Sequence, residues 1–219
     1  MGQWAAPALK SIKYAPSSRY FWSVLSYPVG AAFFLYMRIV EGASKVTVSG
    51  PGAEFSGPAI YVNWHQHIPH LLAEHGKHRR WLLTSKAPYM EPIAKWCELD
   101  GLQLIRGGSG EGAHVVPLLA EKIAKGDSVI LAVDGPSGPI YRAKRGCIEI
   151  SRQTGAPIIP VGYRCARAKP NAKRWDRSLR AKPFDRIEII YGKPIFLKAE
   201  TSFEKAVEEV ENGLNSIRG

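Results

Sequence analysis

The sequence predicts an α/β fold in which a mixed β-sheet is flanked by helices and preceded by a hydrophobic helical segment. Short β-rich runs alternate with helical stretches along the chain, which is the pattern of a layered α/β domain. One run, SVILAVDG at 128–135, is almost continuously apolar, as expected of a buried central strand. The stretch from Tyr20 to Met37 contains no charged residue and differs in composition from everything that follows it.

The N-terminal stretch is long enough to reach the lower limit for crossing a bilayer, which takes about 20 apolar residues. Pro28 and Gly30 lie in its middle and are expected to kink a helix. Arg19 precedes it, as do two lysines, in the manner of a segment facing anionic lipid. We predict a membrane-associating segment at 1–43. The alternatives are a kinked helical hairpin buried in the domain and a cleaved signal peptide.

The remaining residues, 44–219, are predicted to form one domain, with the boundary near 41–44. The chain of 219 residues is 45% hydrophobic and holds six Trp, which is enough for one sizeable core. The predicted strands are 45–49, 59–64, 80–85, 102–108, 128–135, 157–165 and 186–192. The predicted helices are 111–125, 143–154 and 202–217.

Two local features qualify these helices. Pro117 either destabilises the first helix or indicates that the helix begins late. Thr201 or Ser202 is expected to cap the last helix.

The charge balance implies a polyanionic partner. Lys and Arg number 30 against 19 Asp and Glu, giving a formal charge of +11. Nucleic acid, anionic lipid and a phosphorylated substrate all fit this excess. The three cysteines are far apart in sequence and form no C-x-x-C pair, which argues against a disulfide framework or zinc ribbon and favours a reducing compartment.

Four stretches lie at the ends of predicted strands or along them, where open α/β sheets bind ligands. They read NWHQHIPH (63–70), IRGGSGEGA (105–113), AVDGPSGP (132–139) and PIIPVGY (157–163). With the W-D…P-F…Y-G-x-P-I tail at 174–195, they resemble a branch of unknown function in the lysophospholipid acyltransferase-like superfamily. The resemblance covers residues 40–197. It implies a glycerophosphate-acyltransferase-like fold and a fatty acyl donor that is a thioester of CoA or acyl carrier protein.

The same resemblance makes His65 the general base. An alcohol is a weak nucleophile at neutral pH, and an imidazole can remove its proton during attack on a thioester. The superfamily places Asp or Glu five residues after this His, where the present chain has His70. The residue that orients His65 is therefore open, with Glu74 and Asp134 as candidates. Asp134 aligns with the acid of the third motif and is predicted to be catalytic.

Two Gly-rich turns and a basic cluster are predicted to bind the acceptor. Backbone N–H groups at such turns, together with Arg, make an anion site. Ser137 stands where the branch has Arg, so the basic residues that follow it are expected to supply the charge. The predicted substrate-binding residues are Arg106, Gly107, Gly108, Ser109, Gly135, Pro136, Ser137, Arg142, Lys144 and Arg145.

The resemblance predicts an O-acyltransferase that acts on a lysophospholipid or a lipid A-type glycolipid. We expect it on the cytoplasmic face of the inner membrane, with membrane lipids and acyl-CoA or acyl carrier protein as partners. We expect no tightly bound cofactor and no nucleic acid.

Two alternatives remain. The first is a metal-dependent hydrolase, because the H-x-H-x2-H spacing of His65, His67 and His70 matches a metallo-β-lactamase ligand pattern except that Pro69 replaces its Asp. The second is a non-catalytic module for RNA or anionic lipid, because 164–180 is dense in Lys and Arg.

Overall fold

The computed structural model describes residues 18–107 and 112–218. The strands of this part are β1 Lys45–Ser49, β2 Ile60–Asn63, β3 Trp81–Ser85, β4 Gln103–Gly107, β5 Val129–Ala132, β6 Ile158–Cys165 and β7 Arg186–Tyr191. Its α-helices are α1 Ser18–Ala43, α2 Ile68–Lys77, α3 Glu91–Leu99, α4 Gly112–Ala124, α5 Gly146–Thr154 and α6 Phe203–Ser216.

The strands form one mixed sheet in the order β1-β7-β6-β2-β5-β3-β4. β2 to β6 are mutually parallel, whereas β7 runs antiparallel to β6 and is joined by the parallel β1. The predicted mixed sheet with flanking helices and an apolar N-terminal helix is thereby confirmed. In the parallel part all carboxyl ends meet at one edge, so the residues that follow β2 and β5 lie close together.

Helices cover both faces of the sheet. One core cluster joins the sheet to α4, α5 and α6, and two further clusters join the other face to α1, α2 and α3. β2 is buried along its whole length, which explains its β-branched and aromatic composition. Ser202 caps α6 by accepting a hydrogen bond from the backbone N–H of Lys205, as one of the two sequence alternatives predicted.

α1 is one helix of 26 residues, about 39 Å long, that runs through both Pro28 and Gly30. Gly30 is a packing residue, because a Cβ there would lie 2.8 Å from the carbonyl oxygen of Pro92 at the start of α3. The Phe33 ring stacks on Trp96 of α3 at 5.6 Å. The helix is thus docked on the domain along its C-terminal half and does not form a hairpin.

Some predicted elements differ from the structure. α2 and α3 were not predicted, since α2 buries histidines and a glutamate that give no apolar periodicity. β5 ends at Ala132 and α5 begins only at Gly146, because turns occupy most of the residues between them. α4 begins before Pro117 and continues through it, so the proline does not delay the helix.

Candidate active site

His65 lies at the carboxyl end of the buried strand β2, in a short 3₁₀ turn that leads into α2. Pro69 follows in the first turn of α2, where its missing N–H costs no hydrogen bond. The backbone N–H of His65 donates to Oδ1 of Asp134, which follows the neighbouring strand β5, at 2.8 Å. A quarter of the His65 side chain remains exposed. The fold thus places a fixed but accessible imidazole at the ligand-binding edge of the sheet.

The ring of His65 has a carboxylate partner that sequence reasoning missed. Its Nδ1 lies 2.9 Å from Oδ2 of Asp176, whose side chain is buried. The guanidinium of Arg174 donates to both oxygens of Asp176 at 2.8 Å, and the backbone N–H of Ser178 donates at 3.1 Å. Among the described residues, Nε2 of His65 has no hydrogen-bond partner.

These bonds fix the ionisation of Asp176. Burial alone would raise the pKa of its carboxyl, but the hydrogen bonds from Arg174, Ser178 and His65 lower the pKa to about 2. An ionised carboxylate can only accept, so Nδ1 of His65 must carry the proton that is shared with Asp176. The lone pair of Nε2 is then available to take a proton from a ligand.

Neither of the two carboxylates proposed from sequence to orient the ring is hydrogen-bonded to it. Asp134 contacts His65 through the backbone amide and not through the ring. Glu74 accepts from Nζ of Lys77 at 2.9 Å and from the hydroxyl of Tyr191 at 3.3 Å. The sequence signals for Asp176 were its place in the W-D pair of the 174–195 tail and its being the single acidic residue in the basic run 164–180.

The three histidines of the motif have different surroundings. His67 and His70 are buried, and burial lowers the pKa of each to about 4. Nε2 of His70 accepts the backbone N–H of Ala181 at 2.8 Å, and its ring stacks on Tyr163 at 4.5 Å. Within 18–107 and 112–218, no group of three or more His, Cys, Asp or Glu side chains could hold a metal ion.

The turn after β5 forms the wall beside His65. Gly138 has φ +72° and lies under the indole of Trp175, because a Cβ at Gly138 would be 3.0 Å from Cε3 of that ring. Trp175 in turn is 5.1 Å from the His65 ring, measured between centroids. Pro136 and Ser137 are exposed on the same turn.

The predicted cationic residues do not converge on one point. Lys144 lies over Gly135, with Nζ 2.6 Å from where a Cβ would be. Arg142 pairs with Glu211 at 3.4 Å and Arg145 with Glu204 at 3.6 Å, both on α6. Of this cluster, Lys144 is therefore the residue placed against the Asp134 turn.

Arg106, near the end of β4, is paired with Glu91 at the start of α3, with 2.5 Å between Nη2 and Oε1. β4 is three strands from β2, about 14 Å at the usual strand spacing. Gly107 ends β4 and is buried, and a Cβ there would be 2.7 Å from Val115. Gly108 and Ser109 lie outside the described residues.

Within the described residues, neither a pair of buried cysteines nor two surface cavities make a second centre near His65. Burial raises the pKa of the Cys97 and Cys147 thiols to about 12, so neither is a ready nucleophile. Two surface cavities of about 740 and 330 Å³ are lined largely by residues that precede strands, at the opposite edge of the sheet, and His65 lines neither.

Comparisons with known proteins bear on the fold. No family model matches the chain. An uncharacterized protein of Rickettsia prowazekii (strain Madrid E) is 32% identical over 119 residues, or 52% of this chain and 49% of that protein. The chain thus matches about half the length of this curated relative.

The 1-acyl-sn-glycerophosphate (LPA) acyltransferase PlsC from Thermotoga maritima has a similar structure. The TM-score is 0.53, with 96% of this chain and 85% of that chain covered, at 16% sequence identity. At this identity the likeness concerns the fold alone. The present chain therefore has the fold of a solved glycerophosphate acyltransferase, as the sequence resemblance predicted.

Proposed function

We propose that this protein is a membrane-associated O-acyltransferase. It moves a fatty acyl chain from acyl-CoA or acyl carrier protein to a hydroxyl of a lysophospholipid or a lipid A-type glycolipid. The observation that carries the proposal is the His65 imidazole, which sits at the carboxyl edge of the sheet with Nδ1 hydrogen-bonded to a carboxylate and Nε2 open. The fold shared with a glycerophosphate acyltransferase supports the same reaction class.

In the proposed reaction, Nε2 of His65 removes the proton of the acceptor hydroxyl as its oxygen attacks the thioester carbonyl. The resulting tetrahedral oxyanion collapses and the C–S bond breaks. The leaving thiolate then receives from His65 the proton that came from the hydroxyl. General base catalysis of this kind contributes about 10²–10⁴-fold. The backbone N–H groups of Ser137 and Gly138 are candidates to stabilise the oxyanion, since Pro136 has no N–H and that of Gly135 donates to the carbonyl of Ala132.

Lys144 is our first candidate for the phosphate of the acceptor, because it lies against the Asp134 turn and has an exposed side chain. Arg106 is the second candidate. To bind the phosphate, its guanidinium would have to leave the carboxylate of Glu91, with which it is now paired. Arg142 and Arg145 pair with acidic residues of α6 and take a smaller part.

The membrane association rests on α1. Among the described residues it is the one helix long and apolar enough to cross a bilayer, and 17% of its most apolar window is buried in the protein. Its exposed side chains include Phe21, Val24, Leu35 and Ile39, which share one helical face opposite the docked Gly30 and Met37. We place this face in the cytoplasmic leaflet of the inner membrane, beside the lipid acceptor.

The test replaces His65 by alanine. We expect purified H65A to lose about 10²–10⁴-fold in acyl transfer from acyl-CoA or acyl carrier protein. A deletion strain complemented with H65A should lack the same acylated lipid as the deletion itself, measured by lipid mass spectrometry. His78→Ala is the matched control, because His78 is exposed at the opposite end of α2. Unchanged lipids in the H65A strain would refute the proposal.

A basic binding module is the second candidate function, because the run 164–180 carries seven Lys or Arg, six of which are exposed. It predicts that H65A keeps full function, whereas charge reversal within the run abolishes it. The metal-dependent hydrolase requires the His65, His67 and His70 rings to share one ion, and metal analysis of the purified protein before and after chelation tests it.

A further inference from the structure

We propose that Asp176 is the positioning residue of the base His65, and that residues 174–181 form a strap that belongs to the active site. This inference rests on the proposed function, because it assigns the acid that orients the catalytic ring. It adds a role for the acid of the W-D pair, in a segment that is otherwise dense in positive charge.

The acid reaches His65 from a distant part of the chain. The residue five positions after His65, where the superfamily motif has Asp or Glu, is His70. His70 accepts the backbone N–H of Ala181, at the end of the strap. His70 thus stands where the motif has the orienting acid, and it anchors the strap instead. The strap carries the orienting carboxylate, Asp176, which is 111 residues away from His65.

The strap is joined to the His65–His70 segment at four points. Two involve the histidines: Nδ1 of His65 with Asp176, and Nε2 of His70 with the N–H of Ala181. Two involve Gln66: its side-chain amide donates to the backbone carbonyl of Arg177 at 3.0 Å, and its backbone carbonyl accepts the N–H of Leu179 at 3.1 Å. Such bonds along both segments fix the direction from which the carboxylate meets the ring.

Arg174 holds the carboxylate in a single orientation. Its planar guanidinium donates from Nε to Oδ1 and from Nη2 to Oδ2 of Asp176, a two-bond contact that a lysine cannot reproduce. Oδ2 faces Nδ1 of His65 at the same time. The chain Arg174–Asp176–His65 thus keeps the proton of the neutral imidazole on Nδ1.

The consequence of removing the carboxylate follows from the chemistry of the replacement. Asparagine in place of Asp176 presents an amide that can donate to Nδ1 of His65. The ring then carries its proton on Nε2, and that nitrogen has no lone pair for the acceptor hydroxyl. We expect little effect on substrate binding, because Asp176 is buried and contacts Nδ1 of the ring, whereas the acceptor hydroxyl is proposed to meet Nε2.

The experiment measures kinetics and tautomer on Asp176→Asn. We expect kcat to fall about 10²–10⁴-fold with little change in KM. The ¹⁵N chemical shifts of His65 should report the Nδ1–H tautomer in the wild type and the Nε2–H tautomer in D176N. Asp176→Glu should recover part of kcat, and Arg174→Lys should lose part of it. Lys173→Ala is the control, because it removes an exposed charge next to the strap.

The readouts separate this inference from the proposed function. A wild type that transfers no acyl group from either donor would refute the function, and the tautomer of His65 would still test the positioning role. Wild-type kcat in D176N, or an unchanged tautomer, would overturn the inference. If D176N fails to fold, Arg174→Lys decides by kcat, and a wild-type kcat in that variant counts against the inference.

Discussion

At the scale of single residues, the candidate site is defined by two carboxylates that hold one histidine at two points. Asp134 fixes the backbone of His65 and Asp176 fixes its ring. Burial raises the pKa of Asp134, while hydrogen bonds hold the pKa of Asp176 at about 2 against the effect of burial. Two acids of different electrostatic environment therefore keep one imidazole in place, and neither blocks Nε2.

Gly138→Ala should disturb this arrangement without removing a functional group. Gly138 has φ +72°, and an added Cβ would be 3.0 Å from Trp175, beside His65. We expect a loss of about 1–3 kcal/mol in the free energy of unfolding, measured in urea, and reduced acyl transfer. Gly146→Ala is the matched control, because no atom lies within 4 Å of its Cβ position. Equal stability of the two variants would contradict the prediction.

At the scale of elements, the strands were predictable and part of the helical layer was not. β2, β5 and β6 are largely buried, so their sequences are apolar runs that can be recognised directly. α2 was not predicted, because its buried residues include His70, Glu74 and His75. Their burial depends on tertiary partners and leaves no apolar pattern in the sequence.

The same reason hid the carboxylate of the site. His65 was predicted from its motif, but its pairing with Asp176 joins residues 111 positions apart and depends on the path of the strap. Arg142 and Arg145 were predicted to bind phosphate from their charge and their place after the third motif. No local pattern reveals that acidic residues of α6 lie beside them in the fold. Local sequence thus indicates the type of chemistry, whereas long-range contacts decide which residues share it.

α1 carries the prediction at this scale. Leu35 is 59% exposed on the outward apolar face, and moving a leucine into lipid contributes about 1.5–3 kcal/mol. Leu35→Glu should therefore weaken binding to vesicles of anionic phospholipid about tenfold or more in a sedimentation assay. Leu118→Glu is the control, because Leu118 is a similarly exposed leucine of α4, across the sheet from α1. Equal loss in both variants would show that α1 is not the lipid contact.

At the scale of the whole molecule, the sheet separates a layer with an apolar outer face from a layer that ends in the acidic helix α6. The carboxyl edge of the sheet, with His65, lies between these layers. The net charge of +11 favours approach to an anionic surface. Underneath the site, His67, His70 and His75 are buried and neutral, and their pKa values are lowered by burial.

These buried histidines predict a loss of stability in mild acid. The pKa of His67 is about 4 in the folded protein and about 6.5 in the unfolded chain. Between these values the unfolded chain binds a proton that the folded protein does not, so the free energy of unfolding falls as the pH falls. The loss from His67 alone is about 2 kcal/mol between pH 7 and pH 4.5.

His67→Leu removes this titration, and its free energy of unfolding should fall less than that of the wild type over the same pH range. The measurement is urea unfolding at each pH, and carboxyl groups cancel in the comparison because all the variants share them. His78→Leu, at an exposed position, is expected to keep the pH slope of the wild type. A slope in His67→Leu as steep as that of the wild type would mean that the buried ring of His67 takes up its proton without unfolding. The packing of His67 against Tyr163, whose ring centroids are 6.3 Å apart, would then be looser than its burial indicates.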